Sequence, residues 1–216
     1  MKSKKGVVSL VGIVSFSFVL GISGVAKNYF TSSSPSEKER KYYQAAKKEK
    51  ERLSTKTTYN PKAPIKKEEI EKKAENVASM FNMKKMDAEE VIQQNSIEKK
   101  ALYLAAEDMR ITVSDKEVTE EINKIKGTFD SDPEGQKELN AQVAGMGMNE
   151  DEYWEFLRPQ YKSNMIVNKY LQKMYEGRCE KENIDINTKE FMQKRQEWRN
   201  EIVKEAIKKY KVKVQP

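Results

Sequence analysis

The chain has 216 residues, of which 35% are charged and 37% hydrophobic, and its formal net charge is +7. The hydrophobic share lies below the ~45–50% of ordinary globular domains, so part of the chain is expected to lie outside a packed core. The sequence contains no histidine and one cysteine, Cys179. Histidine-based triads, histidine-ligated zinc sites and an internal disulfide are therefore excluded. We expect no cofactor and no metal.

The positive charge is concentrated near the start of the chain. Residues 31–67 hold 11 basic and 4 acidic side chains, whereas residues 68–216 hold 26 basic and 30 acidic ones. The part expected to fold is thus slightly acidic, and it lacks a basic stripe interleaved with aromatic residues. This distribution argues against a nucleic-acid partner.

An apolar run without charge, 7–26, follows three lysines at the N-terminus. A 20-residue helix is long enough to span a ~30 Å hydrocarbon core. We interpret 1–30 as a signal-anchor helix. A cleaved signal peptide is the alternative, although 24–26 offers only a weak cleavage site. A buried core helix is a third and less favoured interpretation.

The tightly packed lysines before the apolar run favour an N-terminus inside the cell. The chain from residue 27 onward would then lie on the extracytoplasmic side of the membrane, and it would be secreted if the signal is cleaved.

Residues 31–65 are interpreted as a flexible basic linker. Pro61 and Pro64 argue against a continuous helix near its end. Residues 37–52 have helical propensity but little apolar material to bury. The basic excess of the linker either lies against an anionic membrane or wall polymer or is simply solvated, and the second interpretation is favoured.

From residue 66 onward the pattern predicts a mostly α, multi-helix domain that ends in a short strand. Apolar residues recur at helical spacing over 66–86 and again over 87–109. After an extended break at 111–113, Ser114 and Glu117 form the pattern of a capping box.

Two further helix starts follow. Asp132 and Pro133 fit the N-cap and first positions of a short helix, and Asn149 with an acidic first turn to Glu152 opens a long one. Pro159 is expected to kink the long helix and Gly177 to end it. A last helix reaches about Tyr210, and 211–214 alternates like a strand.

Residues 101–118 carry a recognisable pattern, an Ala-rich helix end followed by Ile111, Val113, Ser114, Asp115, Glu117 and Val118. This pattern resembles the SurA N-terminal domain family of SurA- and PrsA-like extracytoplasmic foldases. Residues 147–153 are similar to the family segment that opens its long helix, and 198–214 to its closing helix and strand. The resemblance covers about 90–215 and implies a chaperone fold.

The sequence departs from the family pattern in two ways. Many members carry a parvulin prolyl-isomerase domain before the last helix, but 171–188 leaves no room for one, and the parvulin site uses histidines. These departures predict a protein that is not an enzyme and has no prolyl-isomerase activity. The usual first strand is not visible upstream, so the partner of the strand 211–214 is left open.

Acidic side chains and one thiol are the remaining candidates for a chemical site. The acidic clusters at 107–108, 120–121 and 150–152 are interpreted as helix starts or solvated faces rather than acid/base or cation sites. Cys179 is placed in a polar loop, and without a histidine partner it is not expected to act as a nucleophile.

Methionines and aromatic residues cover more than one face of the long helix and its approach. Methionine-rich and aromatic surfaces suit promiscuous polypeptide binding. The candidates for client binding either line an open groove or belong to the core; they are Met146, Met148, Tyr153, Trp154, Phe156 and Tyr161.

The sequence thus predicts a membrane-tethered extracytoplasmic chaperone that binds unfolded or partly folded secreted polypeptides. The alternative is a non-catalytic envelope- or spore-associated scaffold with one specific protein partner. An active isomerase is a third interpretation, for which no site is visible. Client identity and oligomeric state are left open.

Overall fold

The computed structural model describes residues 35–53 and 59–216. The helices and strands within these ranges are α1 Pro35–Leu53, β1 Ile65–Lys66, α2 Lys67–Phe81, α3 Lys85–Asp108, α4 Asp115–Asp130, α5 Pro133–Met146, α6 Glu150–Glu182, α7 Lys189–Tyr210 and β2 Val214–Gln215. The mostly helical class is confirmed. The predicted signal-anchor run, 7–26, lies outside the described residues. None of the helices in 35–53 and 59–216 is both long and apolar enough to cross a membrane.

The structure corrects the linker prediction between residues 35 and 53. This stretch forms α1, and Tyr42, Ala45 and Ala46 are buried on one side of it. Spacings of three and four residues place the three side chains on one narrow stripe. Small residues on a stripe let two helices approach closely, so little apolar material is enough to dock the helix. The wider division into three domains stays a prediction.

A helical hairpin forms where the sequence predicts two successive helices, with the break a few residues earlier than expected. α2 ends at Asn82, whose left-handed backbone (φ 52°) lets its N–H donate to the carbonyl of Ala78. Asparagine tolerates this conformation better than most residues. α3 then returns along α2.

Each of the predicted helix starts is confirmed. The Glu117 N–H donates to Ser114 Oγ at 3.2 Å, and the Ser114 N–H donates to Glu117 Oε2 at 2.8 Å. The reciprocal pair between Asn149 and Glu152 opens α6 in the same way. Asp132 caps α5, with Pro133 in the first turn.

The long helix α6 runs without interruption past both expected disturbances. Pro159 lies inside it, and the prediction that Gly177 ends it is wrong, because the helix stops only at Asn183. Tyr175 and Cys179 flank Gly177 and are buried. Their packing outweighs the ~1 kcal/mol that a glycine costs inside a helix. Cys179 therefore lies on a helix and not in a polar loop.

The C-terminal strand has a partner that the sequence did not reveal. β2 pairs in parallel with β1, and Ile65 lies opposite Val214. The strand begins later than predicted because Lys211 adopts a left-handed backbone (φ 49°) that ends α7. The two ends of the sequence 65–215 are thus held side by side.

Candidate functional site

The six candidates for client binding fall into two groups. Four of them, Met146, Tyr153, Trp154 and Tyr161, are at most 2% exposed. Met148 and Phe156 are half-buried against the same core. The open aromatic groove is therefore not formed by the first four, because α6 is contacted by α3, α4, α5 and α7 and buries more of its circumference than one side.

Trp154 is the centre of a packed aromatic cluster. Its ring centroid lies 6.1 Å from that of Phe129, 5.9 Å from Tyr153 and 6.2 Å from Tyr161. Its indole N–H donates to Glu150 Oε1 at 3.0 Å. Tilted and edge-on aromatic pairs of this kind stabilise a core beyond the area they bury. The cluster is structural in this conformation.

A second surface lies beside this cluster and is covered by α1. We call it the α1 seat; it is the part of α5 that contains Glu138 and Gly145, which meet α1, and the buried Gln142 between them. These positions recur at helical spacing, so they share one side of α5. The buried residues of α1 are Tyr42, Ala45, Ala46 and Glu49. Tyr42 and Ala46 meet Glu138 and Gly145 of α5, whereas Ala45 lies beside Asn76 and Met80 of α2.

The two helices come closest at Gly145. A Cβ atom at this position would overlap the backbone carbonyl oxygen of Tyr43 and lie 2.8 Å from the Cβ of Ala46. Real Cβ atoms do not pack that closely, so only glycine permits this approach. Gly145 on α5 has no side chain and Ala46 on α1 has only a methyl group, and this pair sets the distance between the two helices.

The α1 seat is unusually polar for a helix interface. Glu138 is 4% exposed and Gln142 fully buried. The Tyr42 hydroxyl is hydrogen-bonded to Glu138, and the Tyr153 hydroxyl donates to Gln142 Oε1 at 2.8 Å. Glu138 Oε2 and Gln142 Nε2 have no hydrogen-bond partner among the described residues. Each such atom costs about 1–3 kcal/mol of desolvation.

Burial also changes the acidity of the α1 seat. It raises the pKa of Glu138 to about 7. The nearby Lys38 ammonium works against this shift, whereas the carboxylates of Glu134 and Asp132 add to it. Lys38 itself lies 3.6 Å from Glu134. The docked α1 therefore favours a protonated Glu138 near neutral pH.

The other ionisable groups singled out do not form a chemical site. Burial raises the pKa of the Cys179 thiol, which lowers the fraction present as the nucleophilic thiolate. Burial and the nearby Lys73 lower the pKa of Lys99 to about 7. No group of three potential metal ligands occurs within the described ranges. The acidic cluster at 107–108 is solvent-facing and pairs with lysines.

Sequence reasoning did not identify Glu138, Gln142 or Gly145. A signal was present, because an acidic and an amide side chain occupy the buried stripe of a short helix alongside Leu139. That signal has meaning only when the helix above the stripe is known, and the sequence predicts a linker at that place.

Comparison with known proteins gives one match. A family model described as the SurA-like N-terminal domain matches residues 1–171, which include α1 to α5 and most of α6. The match reaches further upstream than the resemblance at 90–215 and ends before α7.

Neither curated proteins nor solved structures give a match. The family match nevertheless covers about four fifths of the chain, including the α1 seat and the helix that fills it. The chain belongs to the family of SurA-like N-terminal domains.

Proposed function

We propose that this protein is a membrane-tethered extracytoplasmic chaperone that binds unfolded or partly folded secreted polypeptides. The observation that carries the proposal is the family match over residues 1–171, because the family is of a chaperone type associated with unfolded polypeptides. No Gly-rich phosphate loop accompanies it in the sequence. Binding would accordingly be reversible and independent of ATP.

The proposed chaperone does not catalyse prolyl isomerisation. Only 183–188 separate α6 from α7, the place where related proteins carry the catalytic domain. The chain also has no histidine. We expect a proline-containing test peptide to isomerise at the same rate with and without the protein. A rate that rises in proportion to protein concentration would contradict this part of the proposal.

The proposed tether is the apolar run 7–26. We expect the protein to stay with membranes during alkaline extraction and to be digested by protease added to intact, wall-free cells. Protection from the protease would place the helical domain on the cytoplasmic side instead. Release by alkaline extraction would favour a cleaved signal.

Light scattering tests the chaperone activity itself. The full chain is placed in phospholipid nanodiscs, and two unrelated, chemically unfolded proteins are diluted into it at stoichiometric amounts. We expect slower aggregation of both, relative to empty nanodiscs. Unchanged aggregation of both proteins in the presence of well-folded protein would overturn the proposed function.

A scaffold with one specific partner is the second candidate, and the exposed surface favours it. Among residues 36–51 and 59–216 the exposed large hydrophobic side chains are Tyr43, Met86, Met109 and Met192. They lie on three different helices or helix ends and do not supply the broad apolar patch that general clients need. Cross-linking in cells separates the two functions, because a scaffold yields one stoichiometric partner and a chaperone yields many.

A further inference from the structure

We propose that the α1 seat is the polypeptide-binding surface of this protein, and that α1 covers it when no client is bound. The client segment it takes is an amphipathic helix with small residues along its buried stripe. This inference rests on the proposed chaperone function and names the surface through which that function works.

The shape of the α1 seat selects a helix with a small-residue stripe. α1 places Tyr42 at one end of its buried stripe and Ala45 and Ala46 beside it. The side chain of α1 that lies opposite Gly145 is the methyl group of Ala46, and the two helices are too close there for a Cβ on position 145. Helix-in-groove recognition uses anchors at this spacing. A client helix that displaces α1 therefore needs the same kind of buried stripe that α1 has.

The charge around the α1 seat selects a basic segment. Asp132, Glu134 and Glu138 lie at one end of α5 around Lys38 of α1. The stretch 35–53 carries seven basic and four acidic side chains. A client helix with a basic first turn would meet the same acidic groups. Apolar segments with basic flanks satisfy both conditions.

The fit between α1 and its seat is incomplete, which favours exchange. Glu138 Oε2 and Gln142 Nε2 are buried there without hydrogen-bond partners among the described residues. Opening the seat returns both atoms to water, and a client with a suitably placed amide or hydroxyl group pairs them. Part of the cost of removing α1 is thereby offset.

Opening uncovers polar groups and leaves the aromatic core buried. α1 covers Glu138 and Gly145 of α5, and Gln142 between them accepts a hydrogen bond from the Tyr153 hydroxyl of α6. The Trp154 cluster, to which Tyr153 belongs, is not part of the surface that a client meets.

The inference is tested by competition for the seat between α1 of the chain and a free peptide with the same sequence. The probe is a fluorescent peptide of residues 35–53, and the receptor is the full chain in nanodiscs. We expect Ala46→Lys in the chain to lift α1 from α5, because a lysine does not fit against Gly145, while the residues of the seat are unchanged. Gln44→Lys, at an exposed position of α1, is the matched control.

We expect the Ala46→Lys chain to bind the peptide at least tenfold more tightly than the unsubstituted chain, in which α1 competes at high effective concentration. The Gln44→Lys chain should behave like the unsubstituted one. Adding Gly145→Val to Ala46→Lys should abolish binding. An Ala46→Lys chain that keeps its helical signal and binds no peptide would overturn the inference.

The aggregation assay separates this inference from the proposed function. We expect the Ala46→Lys chain to suppress aggregation more strongly than the unsubstituted chain. If the unsubstituted chain suppresses aggregation and Ala46→Lys does not improve it, the inference fails and the proposed function stands. If neither chain suppresses aggregation, the inference and the proposed function both fail.

A stable dimer of the unsubstituted chain in sedimentation, broken by Gly145→Val, would assign the seat to α1 of a second copy and overturn the client assignment.

Hydrogen exchange gives an independent measurement should Ala46→Lys not fold. In the unsubstituted chain we expect the amides of α1 to exchange faster than those of α5 and α6. Excess peptide should accelerate exchange in α1 and leave α5 protected. Equal protection of all three helices, unchanged by peptide, would show that α1 is a permanent part of the core.

Discussion

At the scale of single residues, replacing a helical glycine by alanine should stabilise the fold at two positions and destabilise it at a third, although all three glycines are helical. Gly127 on α4 and Gly177 on α6 have nothing within 4 Å of a built Cβ, whereas Gly145 faces α1. Alanine at 127 or 177 should stabilise the fold by about 0.5–1 kcal/mol, because alanine is the better helix former.

Gly145→Ala should instead destabilise the docked structure by about 1–3 kcal/mol through overpacking. Urea unfolding of the three single variants measures the contrast, and the two solvent-facing substitutions act as controls. Stabilisation by all three would mean that α1 does not pack on α5 as described.

Glu138 should make the docking of α1 depend on pH. Its pKa is raised to about 7 in the folded state, against about 4.3 when exposed. The docked state therefore holds the proton more tightly, and its advantage is complete below about 4.3 and is lost as pH rises through about 7. Glu138→Gln removes this titration.

The measurement is the hydrogen exchange of α1 between pH 5 and 8, corrected for intrinsic exchange. The unsubstituted chain should lose α1 protection over this range, and Glu138→Gln should not. Carboxylates with lowered pKa values, such as Glu117, change stability in the opposite direction at lower pH, so the difference between the two chains is the quantity to compare. Parallel pH profiles would contradict the role of Glu138.

At the scale of elements, the start of α4 depends on one reciprocal pair. Ser114→Ala should cost about 1 kcal/mol, because one N–H of the first turn loses its acceptor, whereas Ser114→Thr should be nearly neutral. Glu117 also pairs with Lys169 of α6, and this bond is the largest cause of its pKa of about 2. Urea midpoints of the two variants check the prediction. Equal effects of alanine and threonine would mean that the cap contributes little.

The sequence alone predicts the start of a helix correctly where the capping residue and the backbone groups it bonds are close in the chain. Ser114, Asp132 and Asn149 each satisfy backbone groups within three residues, so their roles are readable from sequence. Gly177 was misread because burial of Tyr175 and Cys179, which depends on the rest of the fold, outweighs propensity.

The same physics explains why α1 and its seat were missed. Two alanines and one tyrosine are a weak apolar signal on their own, and they become a docking stripe only opposite Gly145, almost 100 residues later in the chain. The pairing of β1 with β2 is equally non-local. A single sequence does not show which distant segments meet.

At the scale of the whole molecule, the core extends beyond the matched family region. α7 contributes buried residues and lies against α3, with Arg199 bonded to Glu98 at 2.8 Å. The buried side chains of α7 are Phe191, Trp198, Ile202, Val203 and Ala206. Residues 172–216 thus complete the domain.

A fragment that ends at residue 171 should therefore fail to unfold cooperatively, because it leaves the α7-facing side of α3 exposed. A fragment that ends at residue 210 keeps α7 and loses only β2, and it should retain a sigmoidal urea transition at a slightly lower midpoint. A cooperative transition in the shorter fragment would show that α7 is an accessory to a complete core.

The parallel contact between Ile65 and Val214 also constrains the order in which the molecule forms. The two residues are separated by nearly the whole folded chain, so their pairing closes the largest loop in the structure and is expected late in folding. α2 and α3, which are adjacent in sequence, can collapse while synthesis continues. β1 has no strand to pair with until Val214 and Gln215 have been made. A newly made copy of this protein therefore passes through a stage in which its own N-terminal strand and covering helix lack their final contacts.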